Sequence, residues 1–430
     1  HTLGMIERGL IDRAITRDIE WGVPVPLPKY ENKRIYVWFE AVTGYLSASI
    51  EWSKSEKNNS SDQNAWKTWW ENPKAKHYYF QGKDNVPFHT IIWPTMLMAS
   101  GNKNLPYDVA ANEYLNFGGK QFSKSKKWAV WLPDFLESYD PDPLRYHLTS
   151  IMPETSDSDF TWQSYLDANN NELVATLGNF IHRVLSMTYN NFEGKVPNTK
   201  EQNPESVEIL KKCKKYMDNT KKFLEKREFR NGLKSVMSLA QEGNKYIDSK
   251  APWKQIKENK NDAALTLHTA LTIISNLRII MNPFLPFSSK KLAPFIGEDP
   301  DKKIIWEFKE IKPNTPLKKP IPLFKKLDQY DELGITIKPN DEKYIIYGLI
   351  GDILCHNNID KCMLAKDQII NDLKNTFLGL KVDSWERKHP MDKTGQSIVY
   401  GNTLSADSID FDFTVSVYDM FDDDYNDSAQ

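Results

Sequence analysis

Two patterns of apolar and polar positions divide this chain. Up to about Ile151, short apolar runs alternate with segments of helical spacing. Arg34 to Phe39 reads Arg-Ile-Tyr-Val-Trp-Phe, a continuous β-prone run such as a parallel strand buried on both faces carries. Ala41 to Trp52 continues with helical character, and His77 to Gln81 predicts a second strand. Phe88 to Ser100 predicts a helix with an internal proline, and Asp108 to Asn116 leads into the Gly118-Gly119 turn. Strand, helix, strand, helix implies βαβ units on a parallel sheet.

From about Asp157 the period changes. After a short extended piece at Asp159 to Trp162, long stretches carry helical spacing: Tyr165 to Asn191, Asn203 to Glu225, Arg230 to Lys250 and Asp262 to Met281, with a last helix from Asn282-Pro283-Phe284 to about Phe295. Pro252 stands where an N1 proline opens a helix. Long helices on short links imply a bundle. Beyond Leu327 the pattern shifts again. Lys343 to Leu373 admits a helix, and Ser408 to Tyr418 alternates strictly, as a half-buried strand does. The last thirty residues hold eight aspartates and no lysine or arginine, an acidic, solvated end.

Composition adds limits. The chain has 430 residues, 40% hydrophobic and 27% charged, which suits two or three globular domains. Its formal charge of −2 excludes whole-molecule attraction to nucleic acid but leaves local basic stretches such as Lys211 to Lys226. No apolar run reads as a membrane span, so no membrane partner is expected. Cys213, Cys355 and Cys362 form no CxxC pair. Cys355, His356 and Cys362 lie close in sequence but lack a fourth ligand, so structural thiols and no metal site are expected. Reduced thiols fit a cytoplasmic protein.

The chemistry-bearing strings come in a fixed order. Gly118-Gly119-Lys120-Gln121-Phe122-Ser123-Lys124-Ser125 combines a flexible entry, two hydroxyls and clustered lysines, a loop able to close on polyphosphate. It follows Val37-Trp38-Phe39-Glu40-Ala41-Val42-Thr43-Gly44-Tyr45 and Gln81-Gly82-Lys83-Asp84-Asn85-Val86-Pro87-Phe88-His89. After it come Asn179-Phe180-Ile181-His182-Arg183 and Lys250-Ala251-Pro252-Trp253. Taken one by one these strings are weak; in this order the chain resembles the methionyl-tRNA synthetases from about Asp12 to about Lys326, with wording like the archaeal and eukaryotic branch.

The resemblance implies a fold and a reaction. The fold is α/β then all-α: the second half of a class I Rossmann-like catalytic domain (1–126), a stem-contact linker (127–162), a helical anticodon-binding bundle (163–327) and an unassigned C-terminal segment (328–430). The reaction is ATP-dependent ligation of methionine to methionine tRNA through methionyl-adenylate, with Mg2+. Trp38, Ala41, Tyr45 and His89 match the methionine side-chain pocket, whose aromatic walls suit a thioether. Asp84 matches the carboxylate for the ribose hydroxyls, with Gly82 for close backbone approach and Lys83 toward the phosphates. Lys124, between Ser123 and Ser125, matches the second lysine of the family's KMSKS signature. Asn179 and Arg183, four residues apart on one helical face, match anticodon-reading positions, and Trp253 the base-stacking tryptophan.

Three departures qualify it. Gln121 replaces the first signature lysine; Glu40 stands where aspartate is expected, with Val42 and Thr43 varying the pocket segment; and, most serious, no HIGH-like tetrapeptide and no zinc-binding insertion occur in the sequence. In the family the HIGH tetrapeptide and the zinc-binding insertion lie upstream of the matching segment, so an N-terminally truncated chain, inactive alone in methionine activation, is expected. Another class I synthetase for an aliphatic amino acid is disfavoured by the pocket string and the Ala-Pro-Trp helix. A non-catalytic tRNA-binding module derived from a synthetase is the alternative.

Overall fold

The computed structural model describes residues 2–327, apart from Asn102, Lys127, Lys200 and Glu201. Beyond these it describes 334–337, 346–350, scattered positions within 363–374, and 381–388, 398–405 and 413–419. Two compact units result: His1–Thr161 with Ala175–Leu323, and Trp162–Val174 with Phe324–Gln430.

The first unit opens on α1 (Thr2–Glu7), followed by the antiparallel pair β1 (Thr16–Arg17) and β2 (Arg34–Ile35). The strand expected over Arg34 to Phe39 is therefore only two residues long, and it is not parallel. At Tyr36 the chain turns into α2 (Val37–Glu40): the Tyr36 carbonyl accepts from the N–H groups of Phe39 and Glu40. A continuous apolar run fits either element, since periodicity cannot separate them over so few residues. Nor is the run buried on both faces, as Val37 and Trp38 are exposed. A 3-10 turn (Ala41–Thr43) continues into α3 (Gly44–Lys54), and α4 (Lys67–Trp70) follows.

The expected βαβ unit is present. β3 (His77–Gly82) and β4 (Pro106–Asn112) pair in parallel across a helical crossover. That crossover contains a π-helical segment (Phe88–Ile92) and α5 (Trp93–Ser100). Pro94, with no N–H to donate back along the helix, sits where the wide turn gives way to regular helix. Behind the sheet lies a core of Val42, Trp70, Tyr79, Trp93 and Leu97. Within it the Trp93 indole N–H donates to the Tyr79 hydroxyl at 2.8 Å. β5 (Leu115–Phe117) pairs antiparallel with β6 (Lys120–Gln121) and parallel with a later strand. Next come α6 (Leu132–Ser138), α7 (Pro141–Ser150) and that strand, β7 (Ser158–Phe160).

Helices then dominate. α8 (Trp162–Asp167), a π-helical stretch (Ala168–Gly178) and α9 (Asn179–Asn191) run in succession. α10 (Pro204–Glu225) begins with a reciprocal capping box between Asn203 and Ser206. α11 (Phe229–Lys250) and α12 (Pro252–Glu258) meet at Ala251, whose left-handed backbone breaks the helix within one residue. α13 (Lys260–Met281) forms the middle of the bundle, and α14 (Pro286–Leu292) runs into a 3-10 turn over Ala293–Ile296. By length and composition α13 could cross a membrane, which a scan for long apolar runs overlooks. With 94% of its most apolar window buried inside the protein, it has the character of a core helix.

The bundle is bolted to the α/β part. The Asp142 carboxylate of α7 accepts the Ser288 N–H at 2.5 Å, and Arg145 donates to the carbonyls of Phe284 and Pro283 at 2.9 and 3.1 Å.

In the second unit β8 (Gly334–Ile337) and β9 (Ile346–Ile350) form an antiparallel pair. The helix admitted over Lys343 to Leu373 is thus displaced at its start by a strand. β10 (Lys381–Lys388), β11 (Ile398–Ser405) and β12 (Phe413–Asp419) make an antiparallel sheet. β12 begins inside the strand expected over Ser408 to Tyr418 and ends one residue past it; Ser408 to Asp412 lie outside the described residues, as do Cys355, His356, Cys362 and the end of the acidic tail.

Candidate functional site

Trp38, Ala41 and Tyr45 fall at i, i+3 and i+7 along one helical run, so they share a face. All three are exposed there. Tyr45 meets His89 from the crossover, with its hydroxyl 2.8 Å from the imidazole Nε2. His89 itself is buried and its Nδ1 lies 2.9 Å from the Asn85 carbonyl. The carbonyl accepts, so Nδ1 carries the proton and Nε2 accepts from Tyr45. Tyr79 and Trp93 stand edge-on or tilted to the Tyr45 ring at 5.1 and 6.4 Å. Trp38 is 6.4 Å from Phe88 instead. The structure brings together the expected pair Tyr45 and His89. It adds Tyr79, Phe88 and Trp93, which sequence reading passed over because such aromatics look like ordinary core.

The end of β3 carries a second cluster. The Lys83 ammonium sits 2.6 Å from Glu113 Oε2, 3.2 Å from Asp157 Oδ1 and 4.1 Å from the Tyr114 ring centroid. The Glu113 carboxylate, followed by Asp157, holds Lys83 above its ordinary range. Asp157 is held low by the Tyr114 N–H first and by Lys83 second. This departs from the expectation of a lysine turned to phosphates: its charge is already balanced by two carboxylates. Asp84 accepts a hydrogen bond from the Tyr114 hydroxyl, and that carboxylate raises the phenol's pKa. Gly82 has negative φ, and a Cβ there would meet nothing within 4 Å, so no packing within the chain demands glycine. Glu113, Tyr114 and Asp157 were not singled out from sequence. The available signal was two polar residues directly after a strand.

The lysine loop is a small hairpin. Gly118 and Gly119 take φ of 55° and 76°, which glycine tolerates without strain. The Gly119 N–H donates to both Asp159 oxygens at 2.9 and 3.0 Å. Ser123 and Trp128 exchange backbone hydrogen bonds at 2.9 Å, closing the turn that holds Lys124. The Ser123 and Ser125 hydroxyls lie 3.3 Å apart, and Lys124 is exposed at the tip. Phe117 stacks on Phe122 at 5.7 Å, and Trp128 donates its indole N–H to the Phe117 carbonyl, so the stem is braced by its own rings while Lys124 stands exposed beyond them.

On the bundle, Arg183 from α9 and Trp253 from α12 come together across seventy residues of sequence. The guanidinium carbon is 5.4 Å from the indole ring centroid, and Arg183 also pairs with Asp248 at 3.0 Å. Asn179 is exposed one turn earlier on α9. Trp253 is 39% exposed, too open for a buried helix staple. Among the described residues, no group of three His, Cys, Asp or Glu side chains is arranged to hold a metal ion.

Comparison with known proteins gives these sites a frame. Residues 1–185 match the family model for class I tRNA synthetases (M), and residues 196–335 match the anticodon binding domain of methionyl tRNA ligase. The chain belongs to the methionyl-tRNA synthetase family. It combines the family's class I catalytic fold with its helical anticodon-binding domain. It is 49% identical to the methionine–tRNA ligase of Thermomicrobium roseum over 293 residues, 68% of this chain and 50% of that one. A Dehalococcoides mccartyi methionine–tRNA ligase is 49% identical over 328 residues, 76% of this chain and 58% of that one. The chain thus spans between half and three-fifths of the length of these relatives. The free-state methionyl-tRNA synthetase structure from Mycobacterium tuberculosis superposes with a TM-score of 0.65 at 24% identity, covering 76% of this chain and 62% of that one. The same enzyme has been solved with methionyl-adenylate bound.

Proposed function

We propose that this chain serves the ATP-dependent ligation of methionine to methionine tRNA through methionyl-adenylate, in the cytoplasm, with the domain boundaries expected from sequence. The observation that carries the reading is the exposed Arg183–Trp253 pair beside Asn179, built from two separately matched segments. A planar cation over an indole suits an unstacked base, which gains stacking on the aromatic face and hydrogen bonds from the guanidinium. Trp38, Ala41, Tyr45 and His89 would line the methionine side chain. Asp84, kept in place by Tyr114, would take the ribose hydroxyls. Lys124 at its loop tip would place a charge on the phosphates as negative charge builds there. Mg2+ would come on the ATP phosphates, since the nearby carboxylates Glu113 and Asp157 are engaged by Lys83.

Methionine-dependent pyrophosphate exchange and tRNA charging test this together, measured in an enzyme that carries this chain joined to a HIGH-motif segment, since the chain by itself is expected to give only background exchange. Lys124→Ala should slow exchange by roughly a hundred- to a thousand-fold. Trp253→Ala should leave exchange nearly intact while weakening charging by about ten-fold or more, the loss of one base stack. An unchanged exchange rate in Lys124→Ala removes that lysine's role, and equal loss of both steps in Trp253→Ala marks a folding defect. The engaged state of Lys83 favours one second reading, a tRNA-binding module without activation. Background exchange with intact tRNA binding, even in the enzyme that carries the HIGH-motif segment, would select it.

A further inference from the structure

The far end of α13 carries a recess that neither the anticodon pair nor the proposed activation site uses. Its volume is about 460 Å3, and Arg278, Asn282, Lys290, Lys302 and Lys303 line it. Four of these are cations, and no carboxylate is among the lining residues. In a chain of net charge −2, such a concentration is a local feature, not a consequence of composition.

The cations are not equivalent. Arg278 is 4% exposed, and its Nε donates to the Ser289 carbonyl at 3.0 Å while a terminal nitrogen sits 2.5 Å from Glu298 Oε2. Its fork is therefore held rigid at the base of the recess. Lys290 pairs with Asp301 at 2.7 Å, but both groups are largely exposed, and such a pair opens at little cost. Lys302 and Lys303 are exposed and take part in no ion pair among the described residues. Two lysines at the rim are thus free of ion pairs among the described residues, on a segment that also carries Glu298, Asp299 and Asp301, and a third is readily released. The segment that bears them leaves the bundle at Gly297, with φ of 71°. A Cβ there would lie 2.3 Å from Thr315 Cγ2 and 2.7 Å from the Pro316 carbonyl, so the loop's exit is set by packing.

We propose that this recess docks the phosphate backbone of the tRNA, away from the anticodon; the assignment rests on the tRNA-ligase reading above. Exposed lysines without ion-pair partners at an open rim suit phosphates of a polymer, which position RNA without reading its sequence. Arg278 to Lys260 spans most of α13, about 27 Å at 1.5 Å per residue. Only Asn259 separates Lys260 from α12, which carries Trp253. The bundle would then hold RNA at two separated points, one reading a base and one gripping backbone. The second point lies next to the Asp142–Ser288 and Arg145–Phe284 bonds that join the bundle to α7.

Binding of a methionine tRNA transcript, followed by titration in increasing potassium chloride, tests this. The Lys302→Ala/Lys303→Ala variant should weaken binding by roughly five- to ten-fold at physiological ionic strength. It should lower the slope of log affinity against log salt by about two, one per lysine. The loss should be the same for a transcript with a changed anticodon, because backbone contacts carry no base information. Lys318→Ala/Lys319→Ala, which removes two exposed lysines elsewhere on the chain, should leave the slope unchanged. Equal melting temperatures would show that the exposed substitutions leave the fold alone. An unaltered slope in Lys302→Ala/Lys303→Ala, with binding still lost in Trp253→Ala, overturns the proposal and spares the anticodon reading. Failure of the unmodified chain to bind any tRNA overturns both. Saturable NMR shifts of Arg278 and Lys290 with inorganic phosphate, alongside unaltered tRNA binding in the lysine variant, would reassign the recess to a small free anion.

Discussion

His147, in α7, is 2% exposed and stands edge-on to Phe160 at 5.3 Å. Burial pushes its pKa down from the ordinary 6.5 to about 4. The ring is neutral in the folded protein while the unfolded chain takes up a proton below 6.5. Stability is therefore complete above that pH and declines as pH falls toward 4, by roughly 3 kcal/mol at most. His268, also lowered by burial, acts in the same direction. Melting temperatures across this window should drop more steeply for the unmodified protein than for His147→Phe; parallel curves would show that His147 is not the titrating group. The same principle explains why the buried Cys213 thiol is pushed up to about 12, which leaves it unreactive as a thiolate at neutral pH. Tyr45 illustrates what residue spacing can and cannot convey. Its place on the helix after Ala41 follows from helical period, whereas its sharing of a face with Trp38 required the turn into helix at Val37. Its hydrogen bond to His89 depends on a crossover forty residues later.

Among the elements, the helices of the bundle were the most legible, because they carry their own start and stop signals. Asn203 caps α10, Pro252 opens α12, and Asn259 accepts from the N–H groups of Asn261 and Asp262 at the start of α13. How those helices cross was not legible. Gly243 on α11 lies so close to Phe180 on α9 that an added Cβ would fall 2.4 Å from the ring. Phe180 is 1% exposed and has little room to yield. Gly243→Ala should therefore destabilise the protein by about 1–2 kcal/mol in urea unfolding, overpacking outweighing the better helix propensity of alanine. Phe180→Leu in the same chain should recover part of the loss, and strict additivity of the two changes would mean that they do not meet. Strands were read less well. His77 to Gln81 was recognised by its isolation between polar segments, whereas Arg34 to Phe39, equally apolar, became two residues of strand and a helical turn. Its apolar groups supply no alternation to choose between the two, and the choice fell to the Tyr36 carbonyl, which caps the turn.

At the scale of the whole molecule, burial is unevenly spread. No described residue before Val42 is buried, and Leu3, Ile11 and Trp21 are 75%, 89% and 83% exposed. α13, by contrast, is buried nearly throughout. Peptide-resolved hydrogen exchange should accordingly show fast exchange over Thr2 to Phe39 and slow exchange in α10, α11 and α13, since local opening is easiest where few apolar groups must be exposed. Slow exchange over Arg34 to Phe39 would contradict this. The exposed apolar groups of the N-terminal stretch should also make the protein prone to association at high concentration, which light scattering would detect. Sequence alone determined the family, the order of α/β and helical parts, the helix start at Pro252 and the sharing of a face by Asn179 and Arg183. These depend on periodicity and on signals within a few residues. Only the tertiary structure decided that Lys83 is neutralised by Glu113 and Asp157, that Tyr114 holds Asp84, that Trp253 lies beneath Arg183 and that four cations share one recess. Those pairings join residues from separate elements, and the chain's local preferences carry no information about which distant charge or ring will be set opposite.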